Sequence, residues 1–165
     1  ITGLIGQYAH GNEPSHHTTY MYAYSGAQYK TADKVDHILN ELYTDSPDGL
    51  TGNEDCGQMS AWYILSSMGF YSVNPASGMY VFGRPLLDKA TIQLPNNKTF
   101  IIESENNSKE NRYIQSITLN GKNYTKAFIT HKDIINGGDL KFEMGDKPNL
   151  EFGKKDEDRP KSKVY

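Results

Sequence analysis

Cysteine is nearly absent from this sequence: Cys56 is the one thiol in 165 residues. A single thiol excludes an internal disulfide and any multi-cysteine zinc site. Because Cys56 lies beside two acids, a nucleophilic role has to be weighed. No suitable activating base stands nearby in sequence, and a small buried thiol at a helix start is the commoner arrangement. Long apolar runs are also lacking. No stretch approaches the roughly 20 residues that span a bilayer, and no signal-peptide pattern is present. Nor is there an excess of positive charge: 17 basic against 20 acidic residues leave a net charge of −3. With a pI near 5.9, that balance argues against a phosphate-binding surface and so against nucleic acid as a partner. An initiating Met is missing too, and the chain opens at Ile1 in mid-phrase, as expected of a piece of a longer protein.

Aromatic residues are plentiful, with 12 Tyr beside one Trp. Sugar-binding sites use such rings as apolar platforms with a polar edge, although most tyrosines serve ordinary cores. Periodicity divides the chain in three. Residues 1–71 read as helical. PSHHTTYMYAYS (14–25) begins at Pro14 and stops at Gly26, which suits a short helix. Val35, Ile38, Leu39, Leu42 and Tyr43 form the stripe of an amphipathic helix that opens at Thr31 or Asp33. A third helix is expected over 56–68, where Met59, Ala61, Trp62, Ile64, Leu65 and Met68 are apolar on almost every face, as in a buried helix. Such a helix needs cover on all sides, from the strands, another copy of the chain or a missing segment. Residues 72–153 change texture to short runs such as ATIQL, TFIIES, YIQSITL, AFIT and LKFEM, with Asn120-Gly121 as a two-residue hairpin signal. These are expected to form an antiparallel sheet or sandwich, making the fold class α+β. Residues 154–165, KKDEDRPKSKVY, mix both charge signs and read as a solvated tail.

One tripeptide occurs twice, Gly11-Asn12-Glu13 and Gly52-Asn53-Glu54, each directly before a helix. If three helices run antiparallel, the loops before the first and third open at the same end of the bundle. Glu13, Glu54 and Asp55, flanked by His16 and His17, can then converge on one pocket able to hold a hydrated cation or perform acid and base work. Three independent helix caps are the alternative, since acids before a helix accept bonds from its unpaired amides. Adjacent histidines point in different directions on a helix, so at most one of the pair is expected to reach such a pocket.

ITGLIGQYAHGNEPSHH, GLTGNEDCGQMSAWYILSSMGFYSVNP, NRYIQSITLNGK and ITHKDIINGGDLKFEMGDKPN, in this order and spacing, resemble the C-terminal part of the family 92 glycoside hydrolases, calcium-dependent exo-acting α-mannosidases. The resemblance runs from Ile1 to about Asn149. It implies that residues 1–71 are the last helices of an (α/α)6 toroid that carries the active site, with the strands as a sheet layer beside it. It further implies inversion at the anomeric carbon, in which one acid protonates the leaving oxygen and a carboxylate activates water on the opposite face. Carried over to this sequence, the general base is Asp55, with Glu54 the second candidate. Asn12, Glu13 and Asp55 are the expected calcium ligands, and His16, His17 and Gln58 the expected contacts to sugar hydroxyls.

The family's general acid lies in a Glu-Gly-Asn-Ala-Trp-Gln-Tyr-like motif that these 165 residues do not contain. The expectation is therefore a fragment of a mannosidase acting on terminal mannose of glycans. It carries the base loop, lacks the acid, is inactive alone, and requires the missing N-terminal part or a self-association partner. An α-1,2 linkage is the first expectation over α-1,3 or α-1,4, although the distal sugar is read by loops that need not lie here. Export to a bacterial periplasm or surface is implied in the same way; the sequons at Asn97, Asn106 and Asn123 carry little weight in a bacterial source. The competing reading is a noncatalytic carbohydrate- or calcium-binding module on the same scaffold; a purely structural domain is a third.

Overall fold

Two short hairpin strands open the described part of the chain, β1 (Leu4–Ile5) and β2 (Tyr8–Ala9). The computed structural model describes residues 2–162. The helix expected over 14–25 is broken into 3-10 turns at Glu13–Ser15 and Thr18–Tyr20 followed by α1 (Met21–Tyr24). A local cause is visible: the Ser15 hydroxyl bonds back to the carbonyls of Ala9 and Asn12, both at 2.7 Å, competing with a regular helical ladder. The amphipathic helix is α2 (Gln28–Glu41), with Val35, Ile38 and Leu39 buried as the stripe requires. It starts earlier than its apolar stripe because Gln28 is buried and donates to the carbonyls of Phe82 and Gly83, at 3.2 and 2.7 Å.

Helix α3 spans Gln58–Ser67. Trp62 and Met59 are fully buried, but Ile64 is 58% exposed. The apolar composition of α3 therefore does not translate into burial on all sides. Ile64, with Leu4, Met21 and Tyr22, leaves apolar surface in the helical half facing water.

After α3 come β3 (Phe70–Tyr71), β4 (Met79–Phe82), β5 (Lys89–Gln93), β6 (Thr99–Glu105), β7 (Tyr113–Leu119), β8 (Lys122–Asn123), β9 (Phe128–Thr130), the short helix α4 (His131–Ile135) and β10 (Gly138–Gly145). A three-stranded sheet has the order β3-β4-β9 and a five-stranded sheet the order β5-β6-β10-β7-β8. The expectation of a wholly antiparallel sheet needs correction, because β10 lies parallel to β6, with Leu140 opposite Ile102. The remaining pairs of both sheets are antiparallel. Strict alternation aims Leu140, Phe142 and Met144 inward, where they join Phe100, Ile102, Ile114 and Ile117 in a core shared with Val35, Ile38 and Trp62. The hairpin at Asn120-Gly121 is as expected: φ is 51° and 72°, the paired left-handed values of a type I′ turn.

The segment read as a solvated tail is docked over its described part. Asp158 and Pro160 are buried, Asp158 accepts from the Thr125 hydroxyl at 2.6 Å, and its carbonyl accepts from the Ala127 amide at 2.8 Å. Composition missed this because specific bonds at Asp158 and the burial of one proline, rather than an apolar stretch, hold the segment. Residues 163–165 lie outside the described residues. Among the described residues, no helix is long and apolar enough to cross a membrane.

A buried charge cluster ties α2 to the chain beyond β4. Asp36 lies 3.0 Å from Arg84 Nε and 3.3 Å from Arg112 Nη1, and the Arg84 side chain is only 3% exposed. The Arg84 contact is an ion pair without hydrogen-bond alignment at Nε; the guanidinium's other nitrogens donate to the carbonyls of Pro85 and Ser108. Removing one partner of such a pair leaves a buried charge uncompensated. Asp36→Ala is expected to cost about 3–5 kcal/mol in urea unfolding, and a change under about 1 kcal/mol would contradict this account of the cluster.

Candidate functional site

The two Gly-Asn-Glu loops meet. A Cβ added at Gly52 would lie 3.0 Å from Gly11 Cα, and one at Gly11 would lie 2.5 Å from the Thr51 carbonyl oxygen. Only glycine lets the backbones approach so closely. The acids that follow are thereby brought to one end of the helical layer, and both Glu13 and Glu54 act on the Tyr43 hydroxyl, helping burial hold it un-ionised.

Their side chains do different work. Glu54 is a cap: its carboxylate accepts from the Ser60 amide at 3.0 Å and from the Ser60 hydroxyl at 2.8 Å, while its carbonyl accepts from the Met59 amide. Asp55 is exposed, and its carboxylate takes no part in the hydrogen bonds or ion pairs among the described residues. The backbone at Asp55, Cys56 and Gly57 is left-handed, with φ of 47°, 56° and 90°. Asp tolerates that region and Gly adopts it freely, whereas Cys there is strained. Cys56 is exposed, against the expectation of a buried thiol, because this left-handed turn carries it outside α3.

Glu13 is half-buried, and its Oε1 is buried with no hydrogen-bond partner. An unpartnered carboxylate oxygen beside the carboxamide of Asn12 is the donor chemistry that suits a hard cation. The set is incomplete: among the described residues, no three His, Cys, Asp or Glu side chains converge to hold a metal ion, and such an ion takes six to eight oxygens. Asn12 and Asp55 are both exposed.

Of the expected sugar contacts, His16 is fully enclosed. Its Nε2 lies 2.9 Å from the His10 carbonyl and its Nδ1 lies 3.0 Å from Gln58 Nε2. The carbonyl can only accept, so Nε2 carries the proton and Nδ1 accepts from Gln58. Burial lowers the pKa of His16, in keeping with this neutral form. With both nitrogens engaged, His16 holds Gln58 and has no donor left for a ligand. Gln58 also donates to the Tyr71 hydroxyl at 3.1 Å. His17 is exposed and does not join this cluster.

Sequence reasoning passed over His10, which stands directly before the first Gly-Asn-Glu. It is completely buried, stacks on His16 with ring centroids 4.6 Å apart, and meets the edge of Trp62 at 4.5 Å. Its Nδ1 lies 2.7 Å from the Tyr8 hydroxyl and its Nε2 lies 2.6 Å from the Tyr43 hydroxyl. Because Tyr43 donates to the Met59 carbonyl at 3.2 Å, a consistent chain runs one way: Tyr8 donates to His10, His10 to Tyr43, and Tyr43 to Met59. Burial, seconded by His16, pushes the His10 pKa down to about 3. Its proximity to the repeated tripeptide was the one available sequence signal. Grooves flank this cluster on both sides, one lined by Ile5, Tyr8, Met21 and Tyr22, the other by Tyr43, Pro47, Tyr63 and Ile64.

Residues 1–146 match the model of the glycosyl hydrolase family 92 catalytic domain. An uncharacterized secreted glycosidase from Arthroderma benhamiae is 35% identical over 155 residues, covering 92% of this chain and 20% of the relative. Among solved structures, a family GH92 α-mannosidase from Bacteroides thetaiotaomicron superposes with a TM-score of 0.93 at 41% identity, over 98% of this chain and 22% of that one. A family GH92 inverting mannosidase from Bacteroides thetaiotaomicron VPI-5482 gives a TM-score of 0.89 at 40% identity, over 95% and 21% respectively. The chain thus spans about a fifth of the length of these relatives.

Proposed function

Because the chain belongs to glycosyl hydrolase family 92, we propose that it carries the general-base side of an α-mannosidase active site, the rest of which lies in a longer parent protein. The reaction is exo-acting, inverting hydrolysis of terminal mannose from glycans, with α-1,2 linkages preferred. The single observation that carries the assignment of the base is the division of labour in the GNED loop. Both oxygens of Glu54 are engaged at Ser60, whereas Asp55 is exposed and its carboxylate remains available for a water. In the inverting geometry that water stands between the base and a general acid roughly 6.5–9.5 Å away. The acid comes from outside these residues. Asp55 takes the proton as the water oxygen attacks the anomeric carbon, and the departing glycan oxygen is protonated from the opposite face.

Calcium is the proposed cofactor, and Glu13, Asn12 and Asp55 are the residues of this chain that would hold it, completed by ligands from elsewhere in the parent. When bound, the ion would polarise vicinal sugar hydroxyls and favour the flattened ring of the transition state. His17 and the free carboxamide oxygen of Gln58 are the proposed hydroxyl contacts. The exposed apolar residues on α1 and α3 would be covered by the remaining helices of an (α/α)6 toroid. Export follows the secreted relative, with a bacterial periplasm or surface as the proposed destination.

The test is hydrolysis of terminal α-mannosides by the full-length protein, with the product anomer followed by NMR. β-Mannose is the expected first product and α-1,2-mannobiose the preferred disaccharide. No release from any α-mannoside would overturn the reading.

A further inference from the structure

The strongest polar network in the helical layer lies beneath the acid loops, and the hydrolytic reading gives it no chemical step. Three ties cross from the first Gly-Asn-Glu segment to the start of α3. Gly11 and Gly52 touch through their backbones. His16 binds Gln58 at 3.0 Å. His10 reaches Met59 through the Tyr43 hydroxyl, by contacts of 2.6 and 3.2 Å. Every tie ends within four residues of Glu13, Glu54 or Asp55, and the imidazoles of His10 and His16 that make two of them are buried.

We propose that His10 and Tyr43 are positioning residues that fix the Asn12-Glu13 loop and the Glu54-Asp55 loop in one relative placement. The geometry favours this role over simple core filling. A buried imidazole used only as packing could be replaced by an apolar ring, but here both nitrogens bond hydroxyls, and Tyr43 passes the connection to a main-chain carbonyl of the first turn of α3. The main chain beside the ring is tied as well: the His10 carbonyl accepts from His16, and the His16 carbonyl accepts from Trp62 Nε1 at 3.2 Å. Loss of the Tyr43 hydroxyl would free the turn that follows Asp55 without emptying the core, since Tyr43 also stacks parallel to Trp62 at 6.2 Å. A displacement of about 1 Å at a reacting group costs on the order of 100-fold in rate, so small slippage between the loops suffices.

The inference rests on the mannosidase reading for its kinetic arm but not for its structural one. In the full-length protein, Tyr43→Phe and His10→Gln are compared with wild type by steady-state kinetics on an aryl α-mannoside and by hydrogen exchange of peptides covering 11–13 and 52–57. Faster exchange in both peptides is expected, with kcat down about 10- to 100-fold and KM changed by less than about threefold. The double variant is expected to be no worse than His10→Gln alone, because both remove the same connection. Unchanged exchange in both loops overturns the proposal, whatever the activity. Faster exchange with wild-type kcat also overturns it, leaving a purely stabilising role. If His10→Gln fails to fold, Tyr43→Phe decides alone. An inactive wild-type protein would sink the mannosidase reading and leave hydrogen exchange to decide this one.

Discussion

Asp55→Asn in the full-length protein is expected to lower kcat by about 10²- to 10⁴-fold, the usual worth of a general base, with little change in melting temperature at saturating calcium, where the carboxamide oxygen still serves as a ligand. The physical ground is local. Asp55 sits exposed in a left-handed turn, and its carboxylate supports no structural bond among the described residues, so an amide of the same shape leaves the loop standing. What the amide cannot do is accept a proton from water. Asn is also favoured in left-handed backbone, so the substitution adds no strain of its own. A drop in kcat accompanied by a large loss of stability would point to a structural role and contradict the assignment.

Chelation is expected to be the second large effect. With calcium removed, activity of the full-length protein should fall to the detection limit and return on adding calcium, and the melting temperature should fall with it. A ligand present at 100 times its Kd stabilises the folded state by about 2.7 kcal/mol. The buried, unpartnered Oε1 of Glu13 supplies the reason: an anionic oxygen without a donor is costly unless a cation or a protein group arrives to meet it. The isolated chain is expected to bind calcium weakly, because it offers no converging set of three acidic or imidazole ligands among its described residues. Activity and melting indifferent to chelator would leave the acids of the two loops as caps and packing groups.

The legible part of the fold was the part governed by local periodicity. The stripe from Val35 to Leu39 specified α2, the short run LKFEM indicated β10, and Asn120-Gly121 specified its turn, because each signal depends on neighbours in sequence. Pairing partners do not. The parallel placement of β10 beside β6 is decided by the path of the chain through β7, β8, β9 and α4, which no period records. The exposure of Ile64 escaped for a similar reason: an apolar residue on a helix says that burial is favourable, but only neighbouring elements say whether it occurs. In the site, the repeated tripeptide and the order of the helices left converging loops and independent caps as alternatives, and the approach of Gly11 to Gly52 shows that the loops meet. The separate duties of Glu54 and Asp55 were not legible, since both are acids before a helix and only the geometry at Ser60 tells them apart. His10 was missed because a buried histidine satisfied by two tyrosines leaves no spacing pattern.

The most direct measurement compares Glu54→Gln with Asp55→Asn in the full-length protein at saturating calcium, recording kcat and melting temperature for each. Glu54→Gln is expected to lose about 1 kcal/mol of helix capping while keeping kcat within about tenfold of wild type, and Asp55→Asn to lose catalysis by about 10²-fold or more while keeping its stability. The reverse pattern, with catalysis lost at Glu54 and retained at Asp55, would contradict the division of labour on which the proposed site rests.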